Sequence, residues 1–220
     1  ITRRRFIDRE PNVHIVRSFH PGQDAYREMQ LAVSQHYYQA HGARPEPRPD
    51  QFWCLTDRKM TLPGYACLGL SWGDSAPLFS EHYLDESLTS LYGLSRAELV
   101  ELGQFSSFGA KGAGRYLIAN VFRTLAQHHY RYVLMTATER VRHIVQSLQI
   151  AYDDLGPACV SRVRDRHVDW GTYYDNSPRV IMVKIDDMAR RNDLPMWSPL
   201  DDPPSARMPL RQVECTANGH

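Results

Sequence analysis

One stretch limits the possible folds more than any other: residues 99–150, LVELGQFSSFGAKGAGRYLIANVFRTLAQHHYRYVLMTATERVRHIVQSLQI. It reads as strand, glycine loop, helix, strand, helix. Val100 to Phe105 is a short half-apolar run, followed by Ser106, Ser107 and a loop holding Gly109, Gly112 and Gly114. Arg115 to His128 then carries Leu117, Ile118, Val121, Phe122 and Leu125 at helical spacing. Tyr132 to Thr138 returns as a buried strand, and Glu139 to Leu148 makes a second amphipathic helix. A glycine loop between a strand and a helix leaves unpaired backbone N–H groups at the helix N-terminus, an environment suited to a phosphate or pyrophosphate. The expectation is an enzyme that handles a phosphate-bearing donor.

The rest of the chain supplies a mixed sheet around this unit. His14 to Phe19 alternates like a strand, and Gln23 to His41 is a helix with Tyr26, Met29, Ala32, Val33 and Tyr37 along one side and Gly42 past its end. Residues 43–51, ARPEPRPDQ, have prolines at alternate positions and must run extended. Phe52 to Thr56 and Gly64 to Trp72 read as adjacent strands, and Ser75 to Tyr92 as one or two short helices starting near Pro77. Ala158 to Arg164 and Arg179 to Ile185 are the last strand candidates. Between them DWGTYYD, residues 169–175, has too many aromatics for an idle linker. Intermixed strands and helices favour α/β or α+β with one twisted mixed sheet. A chain of 220 residues can close one full core. Residues 1–185 are expected to form that domain, and 186–220, rich in Pro, Asp and Arg, a poorly ordered or wrapping tail.

Composition removes several function classes. Twenty-six basic against 25 acidic residues give no global electrostatic reason to bind nucleic acid or a membrane surface. No apolar run approaches the roughly 18 residues a spanning helix needs, so stable membrane insertion is not expected. The opening ITRRRFIDRE is basic without the apolar stretch of a secretory signal. Its lack of an initial Met is what a trimmed start would give. The four cysteines, Cys54, Cys67, Cys159 and Cys215, show no C-x-x-C pair and no metal-ligand spacing, which fits a reducing cytoplasm. Cys54 and Cys67 fall inside strands, where free cysteine behaves as a small buried apolar residue.

The order of elements resembles the centre of the GNAT acyltransferase fold. There the strand before the loop splays from its neighbour, its exposed backbone meets the pantetheine arm, and the loop cradles the pyrophosphate. The resemblance lays Ala110-Lys111-Gly112-Ala113-Gly114-Arg115, give or take a residue, on the family's Gln/Arg-x-x-Gly-x-Gly/Ala loop. No Gln or Arg opens the motif here, which leans toward a carrier-protein donor over coenzyme A. A closer resemblance is to the thermostable hemolysin family. PLFSEHYLDESL (77–88), ELVELGQFSS (98–107), LMTATERVR (134–142) and WGTYYDNSPRV (170–180) are similar to that family's motifs, in order, across about residues 20 to 185. Gln104 stands where Asn is usual and Ser106 where a small apolar residue is usual. The resemblance implies a GNAT-like sheet flanked by helices, close to the acyl-homoserine-lactone synthases. It also implies transfer of an acyl group from a carrier-protein or coenzyme A thioester to a small amine- or hydroxyl-bearing acceptor. The product would be a specialised or signalling metabolite. No tightly bound cofactor is expected; the phosphopantetheine of acyl carrier protein, or acyl-coenzyme A, is a co-substrate. The rival readings are a membrane-active hemolysin and a GNAT-like binder without catalysis.

Acyl transfer needs a group to take the nucleophile's proton and a donor for the tetrahedral oxyanion. Glu101 is the first candidate base, because an unpaired carboxylate inside an apolar strand is costly and its pKa rises. It is either that base, or an anchor for the substrate amine, or half of a structural ion pair with an arginine. Phe105, Ser106 and Ser107 are candidates for thioester and pantetheine contacts. Gly109, Lys111, Gly112, Ala113, Gly114 and Arg115 are candidates for the phosphate, against a bland tight turn. Thr136 and Thr138 alternate on one strand, so both hydroxyls would face one side, either to line the acceptor pocket or simply because threonine suits a strand. Trp170, Tyr173 and Tyr174 either close that pocket, a tyrosine hydroxyl standing in for the family's general acid, or pack as ordinary core. Glu81 would grip a cationic acceptor or lie on a solvated face. Arg123, Arg131, Arg140 and Arg142 would form a patch for an acidic carrier, or an ordinary surface.

Overall fold

The computed structural model describes residues 14–109, 111–163, 167–191 and 193. Seven strands form one open sheet in the order β1-β2-β3-β4-β5-β7-β6. These are β1 (Ile15–Phe19), β2 (Gln51–Thr56), β3 (Ala66–Trp72), β4 (Leu99–Ser107), β5 (Tyr132–Ala137), β6 (Asp153–Pro157) and β7 (Arg179–Lys184). Only β4 and β5 pair in parallel; every other neighbour is antiparallel. The helices are α1 (Asp24–His41), α2 (Leu88–Tyr92), α3 (Ala113–Gln127) and α4 (Glu139–Ser147). This is the α/β arrangement expected, a mixed twisted sheet flanked by helices. α1 ends as its sequence demands, with Gly42 in the left-handed region at φ 70° donating to the Tyr38 carbonyl.

Both sheet faces are covered, so strand residues are apolar at successive positions and sort by parity. Trp53, Leu55, Leu68, Leu70, Val100, Leu102, Val133 and Met135 meet α3 through Leu117, Ile118, Val121, Phe122 and Leu125. On the opposite face Phe52, Cys54 and Cys67 meet Tyr26, Met29 and Val33 of α1. Farther along that face Leu99, Leu134, Val180 and Met182 are covered by Leu78, Tyr83 and Leu88. The two covers on that face, α1 and the segment around Leu78 to Leu88, flank Glu101, whose even-numbered neighbours point the other way.

Three expectations need correction. Ala158 to Arg164 is not a strand: Val160–Arg162 is a 3-10 turn, 164–166 lie outside the described residues, and the strand in this region is β6. Its sequence, DDLGP, carries no apolar pattern, and it exists because β7 offers it a hydrogen-bonding edge. The strand read over Val100 to Phe105 runs on through Ser106 and Ser107 as part of β4. Thr138 lies beyond β5, at the N-cap of α4. The chain also stays packed past Asp186: Met188 is buried in the α3-side core, and Arg191 donates to the Leu148 carbonyl at 3.0 Å. Residues 194–220, including Cys215, lie outside the described residues.

Candidate active site

The parallel pair β4/β5 is in register from Leu99 with Tyr132 to Leu102 with Met135, and there it stops. β4 continues for five residues against β3 alone, with a register shift between Cys67 and Gly69 that absorbs an extra β4 residue. Gln104 takes that bulge, at φ 51°. It is an uncommon position for a non-glycine residue, and the bulge twists β4 away from β5. The backbone of residues 103–107 is thereby left without a strand partner on the β5 side.

A cavity of about 1170 Å³ occupies this split. One wall is β4 and β5: Glu101, Gly103, Gln104, Phe105, Ser107, Met135 and Thr136. α4 supplies a second through Arg140, His143, Ile144 and Ser147, whose spacing puts them on one helix face. His36, Tyr37 and His41 of α1, with Pro45 to Pro47, form a third; Trp170 and Tyr173 close the side. A smaller chamber of about 330 Å³ shares Glu46, Phe79, His82, Glu101, Gly103 and Gln104 with the first, so Glu101 stands at the junction.

Glu101 is 6% exposed. Among the described residues no cation pairs with it. Its Oε2 accepts the Phe79 N–H at 2.7 Å, and Oε1 accepts the Ser80 N–H at 2.8 Å together with the Ser80 hydroxyl. Those amides open the 3-10 turn Phe79–Tyr83, which lies over β5. Ser80 Oγ is in turn 2.7 Å from Thr136 Oγ1. Burial pushes the Glu101 carboxyl above the 4.5 of an ordinary glutamate, and the three hydrogen bonds only partly offset it.

The aromatic segment 169–175 is held against the end of α1. Thr172 N–H donates to the His41 carbonyl at 2.8 Å, and Arg44 N–H to that of Asp169 at 2.7 Å. Tyr173 stacks on Tyr37 at 5.8 Å, and Trp170 lies 5.8 Å from Phe79. Burial raises the phenol pKa of Tyr173, which stays protonated. Trp170 Nε1 is buried with no hydrogen-bond partner among the described residues.

Of the candidates read from sequence, Glu101, Phe105, Ser107, Thr136, Thr138, Trp170 and Tyr173 line the large cavity. Tyr174 does not; its hydroxyl is bonded to that of Tyr83 at 2.6 Å behind the wall. Ser106 is fully buried on the other side of the strand, where pleating must put the neighbour of Ser107. Glu81 is occupied: it accepts from Leu78 N–H at 2.7 Å and pairs with Arg96 at 2.7 Å. Burial opposes its ionisation, but Arg96 and the Leu78 amide hold the pKa down overall. Gly109, Lys111, Gly112, Ala113, Gly114 and Arg115 are not in the cavity wall. They border it, since Gly114 packs on the Phe105 ring and Arg115 donates to the carbonyl of cavity residue Ser147 at 3.1 Å. Gly112, at φ 84°, is the N-cap of α3.

The four arginines do not make one patch. Arg131 pairs with Asp186 at 2.8 Å, Arg142 donates to the Ala137 carbonyl, and Arg123 to that of Arg191. Arg140 alone lines the cavity, across from His36, whose pKa is lowered by burial, by His41 and by Arg140. Sequence reading passed over Ser80, although it sits inside the PLFSEHYL motif, because a lone serine carries no periodic signal.

A family model described as thermostable hemolysin matches residues 19–189. No curated protein sequence matches the chain. Among solved structures it resembles TofI in an apo form, with 13% identity, TM-score 0.55, and 80% of this chain and 93% of that one covered. It also resembles the AHL synthase LasI, at 12% identity and TM-score 0.55 over 81% and 95%. A third is FeeM, an N-acyl amino acid synthase from uncultured soil microbes, at 14% and 0.52 over 80% and 93%. At such identities the shared property is the fold. No helix among the described residues is long and apolar enough to cross a membrane.

Proposed function

The chain belongs to the thermostable hemolysin family, and from that premise we propose that it is an acyltransferase. Its donor is an acyl thioester on a carrier protein or coenzyme A, and its acceptor a small amine- or hydroxyl-bearing molecule. One observation carries the reading: β4 leaves β5 beside a buried carboxylate that pairs with no cation among the described residues, in a cavity large enough for an acyl chain and its acceptor. The unpaired backbone of residues 103–107 offers N–H and C=O groups to a pantetheine amide, as a missing strand would. Phe105 and Ser107 flank that edge. The loop Gly109 to Arg115 and the α3 N-terminus hold the donor's phosphate, with Lys111 and Arg115 exposed beside them. The acceptor lies beside Thr136 in the large chamber, onto which the smaller chamber opens at Glu101.

Glu101 supplies the base and Tyr173 the acid. A buried carboxylate with a raised pKa takes a proton from an amine more readily than one in water, and a buried neutral phenol can give one to a departing thiolate. Names of structural relatives agree with this chemistry: LasI is an AHL synthase and FeeM an N-acyl amino acid synthase. The test is thiol release from acyl-coenzyme A and from acyl-carrier protein, each with and without a pool of amines. Release that needs both donor and amine and collapses in Glu101→Gln supports the reading. Donor binding without turnover in any combination favours a binding protein, and absence of any interaction removes it.

A further inference from the structure

Glu101 does not meet the cavity as a free group. Three hydrogens already point at its two oxygens, from Phe79 N–H, Ser80 N–H and Ser80 Oγ. Ser80 is fully buried and lines neither chamber, so its hydroxyl cannot serve a substrate. Thr136 Oγ1, 2.7 Å from Ser80 Oγ, stands in the wall of the large chamber. Thr136, like the other even-numbered β5 residues Tyr132 and Leu134, faces the same side of the sheet as Glu101, which is why three residues from separate elements meet.

The direction of this chain of hydrogen bonds follows from proton counting. A serine hydroxyl has one proton. With Glu101 ionised, that proton is committed to Oε1, so Ser80 must accept from Thr136. Thr136 then has given its own proton inward and turns oxygen lone pairs to the cavity. The negative charge of the buried carboxylate is in this way presented at the cavity surface as an acceptor on Thr136.

Resting on the acyltransfer reading, we propose that Thr136 and Ser80 form a hydroxyl relay that carries the acceptor's proton from the cavity to Glu101. The acceptor nitrogen forms its bond to the thioester carbon and loses a proton to Thr136 Oγ1. In the same event the Thr136 proton moves to Ser80 and the Ser80 proton to Glu101. The C–S bond breaks with its electron pair on sulfur, and the thiolate takes the proton of Tyr173. After products leave, Glu101 gives its proton to water and Tyr173 regains one, so the sum is thioester and amine to amide and thiol. Thr136 is the catalytic residue of this relay; Ser80 acts only through its neighbours. The ionisable groups around Glu101 include Glu81, His82 and Tyr83 of the covering turn and Tyr173 of the opposite wall. None of them bonds to either relay hydroxyl.

The experiment compares wild type with Thr136→Val, Thr136→Ser, Ser80→Ala and the Thr136→Val/Ser80→Ala pair. It reads kcat, donor KM, the pH dependence of kcat and its solvent deuterium dependence. Thr136→Val is expected to lower kcat roughly 100-fold at unchanged donor KM, as loss of a proton-transfer group does. Ser80→Ala should match it, the pair should be no worse than either, and Thr136→Ser should restore most of the rate. Wild type should show a multi-proton isotope dependence that both deletions reduce to a single proton. Should Ser80→Ala fail to fold, Thr136→Val carries the test, because Thr136 is on the cavity surface. Wild-type kcat and pH profile in Thr136→Val, with Glu101→Gln inactive, would overturn the relay and leave direct catalysis by Glu101. No transfer by wild type from any donor would overturn the reading and the relay together.

Discussion

At Glu101 burial and hydrogen bonding oppose each other, and burial prevails. A carboxylate taken from water resists ionisation; three donors aimed at it favour ionisation but do not restore the ordinary pKa. The proposed base must be ionised to work, so activity falls as pH drops through this raised pKa. We expect the acid limb of kcat to lie above the 4.5 of an ordinary glutamate and to vanish in Glu101→Gln, with kcat down 10²- to 10⁴-fold, roughly what general-base removal costs. A pH–rate series from 4 to 9 (roughly the range carboxyl and histidine titrations span) would check it. Trp170 makes a different point. Its Nε1 is a buried donor without a partner, so Trp170→Phe removes an unmet hydrogen bond. The variant should keep its Tm within about 2 °C, a shift under 1 kcal/mol, while KM for donor or acceptor rises. A lowered Tm with unchanged KM would make it packing only.

Among the elements, the clamp between 169–175 and α1 shapes the cavity's third wall. Gly171 sits at φ 47°, and a Cβ there would come 2.0 Å from the His41 carbonyl oxygen. Alanine must push the segment off the helix end. Gly171→Ala is expected to destabilise by about 1–3 kcal/mol, and to loosen Tyr173 from Tyr37; thermal melts and near-UV dichroism of the aromatic cluster would register both. Legibility varied with element type. α1, α3 and α4 were readable because a helix with one buried face repeats every three to four residues. β2, β3, β5 and β7 announced themselves as apolar runs, the mark of strands covered on both faces. β6 did not, since Asp153, Asp154, Gly156 and Pro157 have no strand preference, and an edge strand is made by its neighbour's free hydrogen bonds. The β4 bulge was invisible as well: Gly103-Gln104 reads as continuous strand, and the left-handed Gln104 is fixed by pairing with β3.

On the scale of the molecule, the boundary read between 185 and 186 from composition alone does not mark the end of packing. Met188 is buried, and Arg191 caps the carbonyl of Leu148. Ending the chain after Ile185 should therefore cost more stability than ending it after Asp193, by at least the roughly 1.5–3 kcal/mol of one buried methionine. Urea unfolding of the two truncations compares them directly, and equal midpoints would refute the assignment. The two-cover design also explains how the cavity exists at all. α3, with Val141 and Val145 of α4, covers one sheet face, whereas α1 and the segment around Leu78 to Leu88 meet the other face separately and leave Glu101, beside the split of β4 from β5, between them.

By itself the sequence determined the order of strand, glycine loop and helix, the family, the helix faces, and a carboxylate inside an apolar strand. Each is a local property, carried by residue spacing or by motifs that keep their order along the chain. Only the tertiary structure decided which candidates share a cavity. It set Ser107 and Thr136 in the wall and turned Ser106 and Tyr174 behind it, engaged Glu81 with Arg96, and dispersed the arginines. It also brought Ser80 to Glu101 and, across 56 residues of chain, to Thr136. A hydrogen bond depends on ångström distances between elements, and those are set by sheet order and by how the covers pack, neither of which periodicity encodes.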